Sequence, residues 1–426
     1  MSVATPVRDH CLAPSRSLDA SGDPGARYGR LFPGLPPFSV DEETLLALGA
    51  PGGVCDGGAA SVDARGASGW PLFGQFVAHD ITADRSPLAL KADPDGLRNF
   101  HAPRANLEPL YGGGPAGEPY LYSRKDPAKL LLGRRHDHPR NPEGVALIGD
   151  PRNDVHFFVA RLHTAFVRTH NGLVDRLRED GVPGSELFEE ARRATTWHYQ
   201  WVLLEDFLPR ITGGVGHERR FYRPEGSPTI PLEFADAAFR YGHGQIRNTY
   251  RLIENEDELT LFPDLIGFRP NEAELDWAAL FDLPDRPCWQ PAKRIDGTLA
   301  RSLIELPEAI TGVVDVDAHR SLAARDLQRC EALGLPAGET IARAIGAEPV
   351  DSQLGWDGTP LWYYVLIESD GEQLGPVGAT IVGEVLHGIV ELDPESYLAV
   401  DPSWRPSLPA AAGQFGFGDL LAFAEQ

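Results

Sequence analysis

The pair with the clearest chemical potential is Gln75 and His79. They stand four apart in GWPLFGQFVAHDIT, an otherwise apolar run, so on a helix both project from one face. A histidine in that setting is either a hydrogen-bonded core residue or a proton-transfer group, because imidazole titrates near neutrality. Asp80 follows at once but points about 100° away. Arg152, in GDPRND, directly precedes a long amphipathic segment. A cation there opposes the helix dipole, so it needs an anion, either in a surface ion pair or in a site. Asp150 or Asp154 could cap that helix. His243 lies in FRYGHGQIRN with glycine on both sides. That pattern either ends a helix or lets something bulky approach the imidazole. Arg240 and Arg247 sit three before and four after it, along the same face. In LAARDLQRC, Asp326 and Arg329 are three apart on a partly apolar face. A buried carboxylate is costly unpaired, so Asp326 either pairs with an arginine or orients a histidine.

Other histidines read differently. His156, His163 and His170 are seven apart. Seven helical residues rise about 10.5 Å, too far to share a metal, so they read as polar positions on one stripe. His136 and His138, in RRHDHPRN, sit among charges and are expected to face solvent.

Positioning these groups falls mainly to helices. Residues 1–38 are rich in Pro, Gly and Ser and read as an extended arm, with 39–426 as one domain. Ser39 and Glu42 form a capping-box pattern that opens a helix ending near Gly49. Residues 69–82 are expected to be helical. From Asp154 to Arg178, apolar residues recur at helical intervals. A second long helix is expected over about 186–208, between Ser185 as cap and Pro209 as stop. A third starts at Pro231 and runs towards His243. Further helices are expected near 297–306, 318–333, 338–346 and 374–390. Strand signals are weak. The best β candidate is LWYYVLIE at 361–368, which reads equally as helix. Residues 85–150 are long and irregular, with turn signals at 112–115 and 150–153. The expectation is a single large, mainly α-helical domain with long irregular loops and little β.

Composition narrows the function. The formal net charge is −23 and the hydrophobic fraction 42%. An acidic chain lacks the clustered positive charge that nucleic acid or an anionic membrane requires. The four cysteines have no CxxC spacing, so neither a zinc ribbon nor a disulfide framework is indicated. No run of about 20 apolar residues could span a bilayer. The N-terminus lacks the 7–15-residue apolar core of a secretory signal, so a cytoplasmic location is the expectation. Met1 is the single methionine. That bias reflects either codon usage or avoidance of an oxidisable side chain.

Taken together, these motifs resemble the animal-type haem peroxidases of the peroxidase–cyclooxygenase superfamily. FGQFVAHDIT is similar to the family's distal helix and GDPRNDVHFFVARLHTAFVRTHN to its distal-arginine segment. FRYGH resembles the proximal-histidine motif, and LAARDLQRCEALGLP the segment carrying the proximal hydrogen-bond partner. LEPLYGGGPAGEPYLYS and LGPVGATIVGEVL are similar to stretches of bacterial members. The matches keep the family's order over about 70–390.

The resemblance implies a helical haem domain and a haem-dependent peroxidase. Such an enzyme reduces hydrogen peroxide through an oxoferryl intermediate and oxidises a small donor of halide, thiocyanate, phenol or indole type. His79 would be the distal base, Arg152 the group stabilising charge as the O–O bond breaks, and Gln75 the group orienting distal water or a halide. His243 would be the proximal iron ligand. Arg240 and Arg329 match positions near the haem periphery. The sequence also departs from the family's pattern. Ala78 and Val155 replace the two carboxylates that esterify haem, which implies haem b held non-covalently. His156 stands where a relative forms a sulfonium link through Met. Asp326 replaces the usual proximal Asn. Asp80, Asn106 and Glu108 supply oxygen atoms for a possible calcium in place of an aspartate-rich loop. Arg240 takes the place of the radical tyrosine of cyclooxygenases. Two alternatives stand beside the peroxidase: a haem oxidase or oxygenase tailoring one metabolite, and a metal-dependent phosphohydrolase using His79 and Asp80. The oligomeric state is not encoded in these motifs.

Overall fold

The computed structural model describes residues 28–83, 97–267, 273–283, 286 and 288–426. Most of the arm expected over 1–38 lies outside the described residues. Its last part is docked rather than free. The Leu31 and Phe32 amides donate to the buried Glu233 carboxylate at 3.0 and 3.1 Å, and both side chains are buried.

Helices dominate, as the pattern predicts. The first, α1 (Glu42–Gly49), is capped by Asp41, whose Oδ1 accepts the Thr44 N–H at 2.9 Å. The expected cap, Ser39, instead donates its hydroxyl to Glu331, so the capping box is replaced by a cap two residues later. Helix α2 (Gly69–Ile81) is buried on nearly every side. Gly69 is required there, because a Cβ would lie 2.5 Å from the Phe281 ring. A 3₁₀ turn (Pro151–Asp154) leads into α3 (Phe157–Glu179), the longest helix described. The cap of α3 is His156, not an aspartate; Asp150 caps the 3₁₀ turn by accepting the Arg152 N–H.

Helix α4 (Leu187–Trp201) starts without a side-chain cap from Ser185 and continues through a π turn (Val202–Phe207). Pro209 does not stop it but sits in the first turn of the short helix that follows (Leu208–Thr212), where no N–H is needed. Beyond come α5 (Leu322–Ala332), α6 (Gly338–Ile345), α7 (Leu361–Ile367), α8 (Pro376–Glu391) and α9 (Phe417–Ala424). The segment 361–368 resolves as helix α7. Its side chains are buried on all faces, and a run buried all round carries no period to tell strand from helix. The described strands form two small antiparallel pairs, Asp63–Ala67 with Pro291–Lys293 and Thr249–Tyr250 with Leu259–Thr260.

The core is aromatic around α2, α3 and α4. Phe76 stacks on Phe166 at 4.9 Å, and Tyr199 meets both edge-on. These contacts fix α2 against α3, the two helices nearest Arg152 and His79. The third expected helix is not continuous. After a short helix (Leu232–Ala235), residues Ala238–Gln245 form a 3₁₀ helix wedged between α2, α7 and α8. No helix among the described residues is long and apolar enough to cross a membrane.

Candidate haem site

His79 sits near the C-terminal end of α2, 9% exposed. Its Nδ1 lies 2.8 Å from Asn153 Oδ1. An amide oxygen only accepts, so Nδ1 carries the proton and Nε2 keeps its lone pair. Asn153 in turn donates from Nδ2 to His163 Nδ1 at 3.1 Å, and its carbonyl accepts from His138 Nε2 at the same distance. The His138 and His163 rings meet edge-on at 4.8 Å. Burial, then the charge of Arg152, pulls the His79 pKa down to about 3. Burial and the neighbouring His138 hold His163 well below its usual value. His79 is therefore a neutral imidazole with a defined tautomer.

Arg152 reaches over the end of α2. Its Nη2 donates to the carbonyls of His79, at 2.9 Å, and Thr82. Nε and Nη2 also bind the Asp150 carboxylate, at 2.7 Å for the shortest contact. Burial would push Asp150 up, but Arg152 and His101 outweigh it and hold the carboxyl well below its usual range. Nη1 has no hydrogen-bond partner among the described residues. Gln75 is oriented from the same direction. Val159 N–H points at His156 Nδ1, so His156 Nε2 carries the proton and donates to Gln75 Oε1 at 2.8 Å. That leaves the Gln75 NH₂ as the outward group.

His243 stands on the 3₁₀ helix, with its side chain 28% exposed. Its Nδ1 is 2.6 Å from Asp326 Oδ2, and Asp326 is fully buried on α5. Asp326 Oδ1 receives Arg240 and Arg329 Nη1 at 3.5 Å each, and both arginines also approach Asp236. Burial opposes ionisation of Asp326; the facing His243 and the two arginines reverse it and hold the carboxyl below its usual value. Asp326 thus meets His243 and the two arginines together. Of the flanking glycines, Gly244 is packed, since a Cβ would lie 3.1 Å from Leu366. Gly242 is open, with Pro71 of α2 no nearer than 3.9 Å.

Several expected residues fall elsewhere. His138 is buried at 2% exposure, not in solvent, because its charged neighbours Asp137 and Asp154 are consumed by Arg140 and the ring turns to Asn153. His156, His163 and His170 are each buried and separately bonded, His170 to the Tyr111 hydroxyl and the Ala128 carbonyl. Asp80, Asn106 and Glu108 do meet. However, Asp80 Oδ1 and Asn106 Oδ1 both accept the Glu108 N–H, at 2.9 and 3.2 Å, and Glu108 Oε2 turns to the Ala102 N–H. Calcium takes six to eight oxygen ligands. Burial raises the Asp80 pKa to about 7. Asp80 Oδ2 is buried with no hydrogen-bond partner among the described residues. Among the described residues no group of three or more His, Cys, Asp or Glu side chains could hold a metal ion. Asn153 and His163 were missed from the sequence; the only available signal was a histidine on the buried stripe of α3, ten residues after an asparagine.

Residues 91–353 match the profile of the animal haem peroxidase family. The chain belongs to that family. Peroxidasin homolog pxn-2 of Caenorhabditis elegans is 33% identical over 149 residues, covering 33% of this chain and 11% of that protein. The chain thus spans about a tenth of that curated relative's length. Peroxidase A from Dictyostelium discoideum superposes with a TM-score of 0.65 at 14% identity, covering 94% of this chain and 93% of that one. A fatty acid alpha-dioxygenase from Arabidopsis thaliana gives 0.62 at 14% identity, over 92% and 74%. At those identities the likeness is one of fold.

The family implies a haem, and the donor set accommodates one. His243 has one ring nitrogen held by a carboxylate and the other without a protein partner among the described residues. An imidazole oriented in this way suits an axial iron ligand. His79 shows the same division of its two nitrogens, with an amide in place of the carboxylate.

Proposed function

We propose that this animal haem peroxidase family member reduces hydrogen peroxide and oxidises a small donor of halide, thiocyanate, phenol or indole type. The observation that carries the reading is the state of His79: neutral, with Nδ1–H committed to Asn153 and Nε2 open. A haem bound through His243 would supply the redox chemistry. His79 Nε2 takes a proton from peroxide and returns it to the departing oxygen. Arg152 Nη1 supplies positive charge where negative charge develops. The Gln75 NH₂ orients water or a halide beside them. Asp326, supported by Arg240 and Arg329, orients the His243 ring.

The haem in this reading is haem b held without ester links. Ala78 and Val155 offer no carboxylate, and the nearby Asp154 is committed to Arg140 at 2.6 Å. Acid–ketone extraction should release all of the haem; haem retained by the denatured protein would contradict non-covalent binding. Cyclooxygenase-type dioxygenation has less support, since position 240 is an arginine tied to Asp326, Asp236 and the Ala235 carbonyl. The phosphohydrolase alternative finds no metal cluster among the described residues.

The test is peroxide-driven donor oxidation by the haem-loaded protein and by His79→Ala. Loss of the base should cost about 10²–10⁴-fold in turnover while the Soret band is kept. Turnover at the parent rate in His79→Ala would remove the assignment.

A further inference from the structure

A cavity of about 620 Å³ opens beside α3, lined among others by Arg161, Arg168, His136, Leu275 and Trp277. Arg161, Thr164, Ala165 and Arg168 fall at helical i, i+3, i+4 and i+7 positions, so they share one face of α3. His163 projects roughly opposite, towards Asn153. The cavity is therefore separate from the residues grouped around His79.

Its charge is unusual for a chain of net charge −23. Arg161 is 8% exposed and its guanidinium donates to the Arg135 carbonyl at 3.2 Å, with the Phe157 ring beneath it at 5.6 Å. Arg168 is half-buried and donates to His136 Nδ1. Neither arginine forms an ion pair with a carboxylate among the described residues. Burial lowers the pKa of both Arg161 and Arg168, and the charge of Arg168 lowers that of Arg161 further. Of the acids that act on them, Asp137 is held by Arg140, and Glu274 and Glu425 line the same cavity as exposed residues with no ion pair to either arginine among the described residues. Two adjacent guanidinium groups, one buried and lacking a counter-ion, cost stability unless something anionic arrives. The backbone that presents His136 is also strained: Arg135 and His136 are both left-handed, at φ 51° and 63°.

We propose that this cavity binds a small organic oxyanion, with its carboxylate or phosphate group forked between Arg161 and Arg168 and its apolar part against Trp277 and Leu275. Guanidinium pairs match the planar oxygens of both groups, and an indole wall favours a ligand with a flat or apolar body.

The test is calorimetric titration of the haem-loaded protein with benzoate and with inorganic phosphate, each against chloride at equal ionic strength. At least one should bind saturably without moving the Soret band; the tighter of the two tells a carboxylate from a phosphate ligand. Arg168→Gln and Arg161→Gln should weaken that binding by about tenfold or more, roughly one lost charge-assisted contact. Arg178→Gln, a charge-matched change elsewhere on α3, should not. Arg168→Gln alone decides the matter if Arg161→Gln does not fold, because Arg168 is only half-buried. Absence of binding by both anions, or equal binding in Arg168→Gln, would overturn the proposal, as would an anion whose binding shifts the Soret band.

Discussion

His79 and His243 are the same side chain held in opposite ways. On the His79 side, Nδ1–H meets a neutral amide, Asn153, whose other end is held by His163. On the His243 side, Nδ1 meets a fully buried carboxylate that two arginines support. The difference teaches that the partner of Nδ1 sets what Nε2 can do. An amide partner fixes a tautomer without adding charge, which suits a base that must pick up and release a proton. A carboxylate partner pushes electron density through the ring, which suits a metal ligand. The scaffolds differ as well: His79 rides on an α-helix packed by aromatic rings, His243 on a 3₁₀ helix gripped from three sides.

The comparison is broken most severely at Asn153. Asn153→Ala removes the acceptor that holds the His79 tautomer and leaves His163 Nδ1 without its donor. Peroxide turnover should fall by about 10–100-fold, the cost typical of removing a group that orients a functional histidine, while haem binding is unchanged. Stopped-flow mixing with peroxide measures it, and a parent-like rate would mean that His79 needs no orienting partner.

A gentler probe uses pH. The His79 pKa in the fold is about 3, below its unfolded value near 6.5. A histidine with a lowered folded pKa contributes stability that is complete above 6.5 and is lost as pH falls from there towards 3, because the unfolded chain takes up the proton first. Replacing His79 by Gln removes that contribution. The parent's melting temperature should therefore fall more steeply than that of His79→Gln between pH 6.5 and 4. Parallel melting curves across this range would mean that His79 is not held neutral.

Much of this arrangement is legible in the chain, for identifiable reasons. Helix α3 announces itself because an apolar stripe repeats at 3.6 residues, and the placing of Gln75 with His79 on one face of α2 follows from their i, i+4 spacing. The site of His243 is visible from its two glycines, but its 3₁₀ geometry is not, since eight residues wedged between α2, α7 and α8 are shaped by those neighbours. Segment 361–368 hid its helix because burial on all sides erases the period. His138 was misread because local charge suggests solvent, whereas Arg140 had already neutralised Asp137 and Asp154. The links of His79 to Asn153 and of His243 to Asp326 span 74 and 83 residues, and no local pattern encodes such pairings. Asp326 stood out from its apolar helix face, and the family resemblance tied it to the proximal histidine; Asn153 had no equivalent guide.

The most direct test of the account is the Fe(III)/Fe(II) reduction potential of the haem-loaded protein, compared across Asp326→Asn and Asn153→Ala. Replacing the carboxylate by an amide makes the His243 partner chemically like that of His79. The potential should then rise by some tens of millivolts, since a weaker electron push from the proximal imidazole destabilises the ferric state. Asn153→Ala should leave it close to the parent value. An unchanged potential in a well-folded Asp326→Asn, or equal shifts in both variants, would contradict the claim that the partner of Nδ1 divides the two histidines into ligand and base.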